Sequence, residues 1–146
     1  MFSASSVCTG AGSTTLPCMS IMATATGGGI VRKITVENPT TSAVDIAVRR
    51  LTSAGTVGAS VDELNWVDGP APNCQVFQAH SSTGPTITAG FIDRYQFPAS
   101  MAGATVVWTY EGSGLQILKG TANGIAIIPA AGTGQLVVVT FQWEES

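Results

Sequence analysis

From Ile30 onward, apolar and polar residues alternate at every second position, and no window of about 11 residues carries an apolar stripe at helical spacing. That pattern confines the chain to strands. In IVRKITVE (30–37), Ile30, Arg32, Ile34 and Val36 share one face, and Lys33, Thr35 and Glu37 the other. In AVDIAVRRL (43–51), Val44, Ile46 and Val48 oppose Asp45, Ala47 and Arg49. The turn chemistry of Asn38-Pro39-Thr40-Thr41-Ser42 lies between them, so the spacing predicts an antiparallel hairpin. Further strands are expected at CQVFQAH (74–80), GFIDRYQF (90–97), ATVVWTY (104–110), GLQILK (114–119), GIAII (124–128) and QLVVVTFQW (135–143). Gly- and Pro-rich turns separate them, with Gly120–Gly124 and Gly132–Gly134 reading as hairpin turns, and VDELNWV (61–67) predicts at most one helical turn. Short strands so punctuated define an all-β fold, an antiparallel β-sandwich or jelly-roll-like single domain over residues 30–146.

The first 29 residues read differently. They hold no charged side chain, the first being Arg32, and they lack the basic n-region and compact apolar stretch of a secretory signal. They are expected to form an extended N-terminal arm, closed by a flexible hinge at Gly27-Gly28-Gly29. Phe2, Val7, Leu16, Met19, Ile21 and Met22 would anchor that arm on a neighbouring subunit. A disordered tail, or a start at Met22, are the alternatives. Charge is scarce throughout: charged residues make up 10% of 146, against a usual roughly 25%. So lightly charged a surface is expected to be covered by copies of the chain or by a larger partner. The net charge of −3 and the scattered bases exclude a nucleic-acid footprint, and no apolar run approaches the roughly 18–20 residues of a membrane helix.

Catalytic chemistry is hard to find. The only histidine, His80, lies in the loop-like QAHSSTGP and reads as exposed, and no Gly-x-Ser-x-Gly elbow occurs. Asp62, Glu63, Asp93 and Glu111 are the carboxylates to consider for glycoside cleavage, but nothing in the sequence pairs them. Cys8, Cys18 and Cys74 form no Cys-x-x-Cys pair, so neither a zinc site nor another metal or cofactor site is expected; they read as reduced thiols, with a Cys8–Cys18 bridge as the alternative. Trp66, Trp108 and Tyr110 could stack on a sugar or, with Trp143, belong to a core or subunit interface. The chain is therefore read as a non-enzyme. Its candidate interface residues are Phe2, Leu16, Met19 and Ile21 on the arm, Phe91 and Tyr95 on a strand with two mixed faces, Arg49, and Trp143.

Three segments, in order, resemble a group of small bacteriophage capsid decoration or cement proteins. ITVENPTTSAVDIAVRRLTSAGTVG (34–58) is similar to their opening strands, GLQILKGTANGIAII (114–128) to a late strand and its return, and GQLVVVTFQWEES (134–146) to a closing strand ending in an aromatic and two Glu. Together they cover about a third of the chain, and WVDGPAPNCQVFQAH has no counterpart. The resemblance implies a virion protein that assembles in the host cytoplasm, clusters as a trimer or dimer, and binds the major capsid protein on the outer capsid surface. A tail, fibre or head–tail joining component and a carbohydrate-binding module are the rival readings.

Overall fold

Alternation in sequence becomes alternation in burial. In a computed structural model, which describes residues 1–145, twelve strands form and no described residue is helical. They are β1 (Phe2–Val7), β2 (Met19–Met22), β3 (Gly29–Asn38), β4 (Val44–Leu51), β5 (Ser60–Val61), β6 (Leu64–Asn65), β7 (Gln75–Gln78), β8 (Asp93–Phe97), β9 (Ala104–Thr109), β10 (Leu115–Ile117), β11 (Gly124–Ala131) and β12 (Val138–Glu144). Along β12, Val139, Phe141 and Trp143 are buried while Val138, Thr140 and Gln142 face outward.

Two antiparallel sheets pack face to face. In the first, β3 lies between β12 and an edge shared by β9 and β10, and β12 continues to β1 and β6. The second runs β5-β7-β2-β11-β4-β8. The pairing is nested: β1 with β12, β2 with β11, β3 with β10 and β9, and β4 with β8. Such nesting is one long antiparallel ribbon folded over so that successive rungs fall in alternate sheets, which is the jelly roll. The core between the sheets is filled by Trp143, Phe141, Phe97, Met19 and the fully buried isoleucines. Each such side chain contributes about 1.5–3 kcal/mol relative to exposure.

The jelly roll replaces every expected hairpin with a crossover. β3 and β4 lie in different sheets, and the link between them is folded by buried Asn38, whose Nδ2 donates to Ser42 O (2.8 Å) while its Oδ1 accepts from Thr40 N (3.1 Å). Gly120–Gly124 likewise carries the chain from β10 across to β11, and Gly132–Gly134 from β11 to β12. Residues 61–67 form no helical turn, because Leu64 and Asn65 pair with Ser3 and Phe2. In β3 the alternation slips by one residue: the register passes from Gln142↔Lys33 to Trp143↔Val31, so Arg32 is a bulge and Val31 is buried where Ile30 was expected. Arg32 is held there by Glu144 (Nε to Oε2, 3.0 Å) and by Gly112 O (2.8 Å).

The expected arm is also corrected. β1 is inserted between β12 and β6, and β2 between β7 and β11, so residue 29 marks no boundary. The segment lacks charge because it is interior: Ala4, Cys8, Cys18, Met19, Ile21, Met22 and Ala23 are all buried. Nor is the glycine run a hinge. A Cβ on Gly28 would lie 2.0 Å from Ile117 O, so glycine is needed there for close packing of backbones.

Candidate functional site

Most of the groups with chemical potential are held by contacts within the fold. His80 is buried, not exposed, and its Nε2 shares a 2.7 Å hydrogen bond with Ser20 Oγ. A serine beside an imidazole is the start of a nucleophilic pair, but Ser20 is fully buried within β2, between β7 and β11, and no substrate reaches it. Burial holds the imidazole below its ordinary range, against an opposing contribution from the Ala54 backbone, so it is neutral at pH 7. The pair is a cross-link between β2 and the segment that covers it. Sequence reasoning missed it because a lone loop histidine carries no sign of what packs over it.

Five of the nine carboxylates are tied down within the fold. Glu63 Oε1 accepts from Val76 N (2.9 Å), and Asp93 Oδ2 accepts from the Tyr110 hydroxyl (2.8 Å). Asp45 accepts from both Arg94 Nε (2.8 Å) and Arg94 Nη2, and the Arg94 guanidinium holds its carboxyl below the usual range. The two closing acids of the sequence are structural clasps. Glu144 pairs with Arg32. Glu145 accepts from Asn73 N (2.6 Å), Cys74 N (2.8 Å) and Trp143 Nε1 (2.9 Å). Asp62 and Glu111 stay exposed and apart from these. Among the described residues no group of three or more His, Cys, Asp or Glu is gathered for a metal.

Cys8, Cys18 and Cys74 are free, buried thiols. A hydrogen bond with Cys8, and then burial, push the Cys18 thiol well above its ordinary range. Burial, with the nearby Glu145 carboxylate, pushes Cys74 up to about 12. A shallow depression of about 520 Å³ is lined by Val44, Asp45, Gln96, Phe97 and Pro98, and its one carboxylate is the one Arg94 already holds.

The candidate interface residues separate into two sets. Met19, Ile21 and Trp143 are fully buried in the chain's own core, Phe2 stacks on Trp143 with ring centroids 5.8 Å apart, and Leu16 is only partly exposed. Met19, Ile21 and Trp143 fill the sandwich, and Phe2 packs against that core. Phe91 and Tyr95 do reach the surface, and Arg49 lies over the Phe91 ring at 5.1 Å while donating to Thr88 O (2.5 Å). The three tryptophan and tyrosine candidates for a sugar platform are not brought together. Trp66 is exposed beside the β1/β6 edge, whereas Trp108 and Tyr110 pack against the core at the opposite edge.

What remains is a surface. The outward face of the first sheet presents Ser5, Val7, Thr35, Val107, Val138 and Thr140, with a cross-strand hydroxyl pair at Ser5–Thr140 (2.7 Å). Trp66 and Leu64 extend it at the β6 side, Trp66 Nε1 donating to Ser3 Oγ (3.0 Å). The charged side chains that the strands place there are Lys33, Glu37 and the Arg32–Glu144 pair. Hydroxyls and β-branched side chains on a pleated sheet make a firm, nearly neutral face that gives a small molecule little to grip. Fold and surface together define a jelly-roll β-sandwich. Comparison with protein-family models, curated proteins and solved structures finds no match to this chain.

Proposed function

We propose that this chain is a structural protein of a bacteriophage particle, a decoration or cement subunit that binds the major capsid protein on the outside of the shell. The observation that carries the reading is the nearly neutral, uncovered face of the first sheet, on a fold whose ionisable groups are largely spent on internal clasps. A protein made to lie against large partners gains from a firm face with little charge to desolvate. The jelly roll adds support by analogy, since viral capsid domains use it, although lectins and cupins do too. Three sequence segments that resemble decoration proteins point the same way. The separation of Trp66 from Trp108 and Tyr110 weighs against the sugar-binding alternative.

The test is the protein content and strength of purified particles. The reading expects the chain in stoichiometric amounts on intact heads, and expects heads from a gene deletion to rupture at lower temperature than the parent's. Its absence from purified particles, or deletion heads as heat-resistant as the parent's, would overturn the reading. Recovery on separated tails instead would move the protein to the tail, fibre or joining class.

A further inference from the structure

The two sheets leave edges, and an open strand edge is a template for another strand unless it is blunted. Most edges here are short or guarded. β5 and β6 span two residues each. β8 carries the Arg94–Asp45 ion pair and Gln96. On β10 the Gln116 carbonyl is taken by Arg50 Nη1 (2.8 Å). β9 differs: ATVVWT holds no charge, no proline and no glycine, and β3 pairs with only one side of it.

The ladder shows which groups are open. Tyr110 N donates to Arg32 O (2.9 Å), and residues facing each other alternate between bonded and non-bonded pairs. Continuing from that pair along the register, Trp108 faces Ile34 and Val106 faces Val36 in bonded positions. The N–H and C=O groups of Thr105, Val107 and Thr109 therefore point away from β3. All three residues are exposed, Val107 by 49%.

We infer that this edge pairs with β9 of a second copy of the chain, antiparallel about a two-fold axis at Val107, joining the first sheets of two molecules into one continuous sheet. That register sets Val107 opposite the partner's Val107 and Thr105 opposite the partner's Thr109. Every open N–H and C=O of the three residues then finds a partner, as a closed two-fold interface requires. The charge arrangement is compatible with the same register. Glu37 lies beside Thr105 and Lys33 beside Thr109 on the outward face. Centred on Val107, each Lys33 shares a cross-sheet row with the partner's Glu37, three strand spacings of about 4.8 Å away. Centred on Thr105 or Thr109, the rows would set Glu37 against Glu37 or Lys33 against Lys33, and two of the three open residues would stay unpaired. The pairing does not rest on the virion reading: a chain absent from particles would leave it standing.

Sedimentation of the full chain from about 1 μM to about 1 mM reads the association directly. A monomer–dimer equilibrium is expected, with Val107→Lys raising the dissociation constant at least about tenfold, because two ammonium groups would face each other across the axis. Val7→Lys, on the same face but two strands beyond β3, should leave the constant unchanged. Amide hydrogen exchange on the wild-type chain gives a reading that needs no variant. The amides of Thr105, Val107 and Thr109 should slow as concentration rises, while those of Val106 and Trp108 are slow at every concentration. A monomer across the whole range, a trimer, a dimer indifferent to Val107→Lys, or rapid exchange at the three amides in the associated state would each overturn the pairing. Should Val107→Lys fail to fold, the wild-type exchange pattern decides.

Discussion

The outward faces of the two sheets are built to opposite rules. On the second sheet, Met22, Leu51 and Ala126 point away from the main core yet are buried, because Ala54, Phe77 and Ile87 close over them to form a smaller apolar cluster. Ser20 and His80 lie under the same cover. On the first sheet the corresponding positions are Val107, Val138, Thr140 and Ser5, and no described residue lies over them. The difference shows in the sequence. β11 (GIAIIPAA) and β2 (MSIM) are buried at nearly every position because both of their faces are covered, whereas β9 and β12 alternate because one face is open.

The largest test of that contrast is truncation on the two faces. Leu51→Ala should cost about 2–5 kcal/mol, as a main-core truncation would, although Leu51 faces outward from its sheet. Val138→Ala on the first sheet should fall within about 0.5 kcal/mol of the parent. Urea unfolding monitored by tryptophan fluorescence measures both. A Leu51→Ala cost as small as that of Val138→Ala would mean that the cover is not closed in solution.

The same contrast explains what the sequence disclosed. Strand positions from β3 onward, the two-residue β5 and β6 apart, were legible because alternation and turn residues are local properties, and Val44, Ile46 and Val48 fell on the core face as expected. Pairing was not legible. No two strands that follow each other directly in the chain pair, so hairpin logic applied to Asn38–Ser42 or Gly120–Gly124 selects the wrong partner. Turn residues report a change of direction but not whether the chain returns in the same sheet or crosses to the other. The N-terminal segment misled for a different reason. An uncharged stretch suits an arm on a neighbour as well as it suits β1 and β2, and only the slots beside β12 and β11 distinguish them. His80 was misplaced for want of any local mark of the cover above Ser20.

A second, smaller effect lies beneath the cover. Ser20→Ala leaves His80 Nε2 buried without its partner and should cost about 1–3 kcal/mol in thermal or urea unfolding at pH 7. Acid should weaken the parent at the same place. His80 is held below its ordinary value, so the unfolded chain binds the proton first. The stabilisation is complete above about pH 6.5 and is lost as pH falls from there through the lower folded value. Stability that stays flat from pH 7 down to pH 5 would remove His80 from beneath the cover.

Near the rim of that cover the effect shrinks again. Phe91 lies between two guanidinium groups, Arg49 at 5.1 Å and Arg94 at 5.3 Å from its ring centroid, and is itself nearly half exposed. Each such contact is worth about 0.5–1 kcal/mol at an exposed site, so Phe91→Ala should cost on the order of 1 kcal/mol, while Phe91→Tyr, which keeps the ring face, should cost little. Equal losses for the two variants would mean that ring packing, and not the ring face, holds the rim.

The smallest effect belongs to the open face, and its smallness is informative. Thr140 sits in a cross-strand row with Ser5 and Thr35, and its hydroxyl bonds only to Ser5 Oγ. Thr140→Lys removes that one exposed bond and some strand preference, while the lysine stem lies along the sheet and its ammonium stays in water. In dilute monomer the change should stay within about 0.5 kcal/mol. At concentrations where chains associate, the two-fold pairing at β9 predicts the same indifference, because β3 lies between that edge and β12, the strand that carries Thr140. A cost that appears only at high concentration would show that copies of the chain also cover this face. A cost present at every concentration would show that the chain covers it itself, and the contrast between the two sheets would disappear.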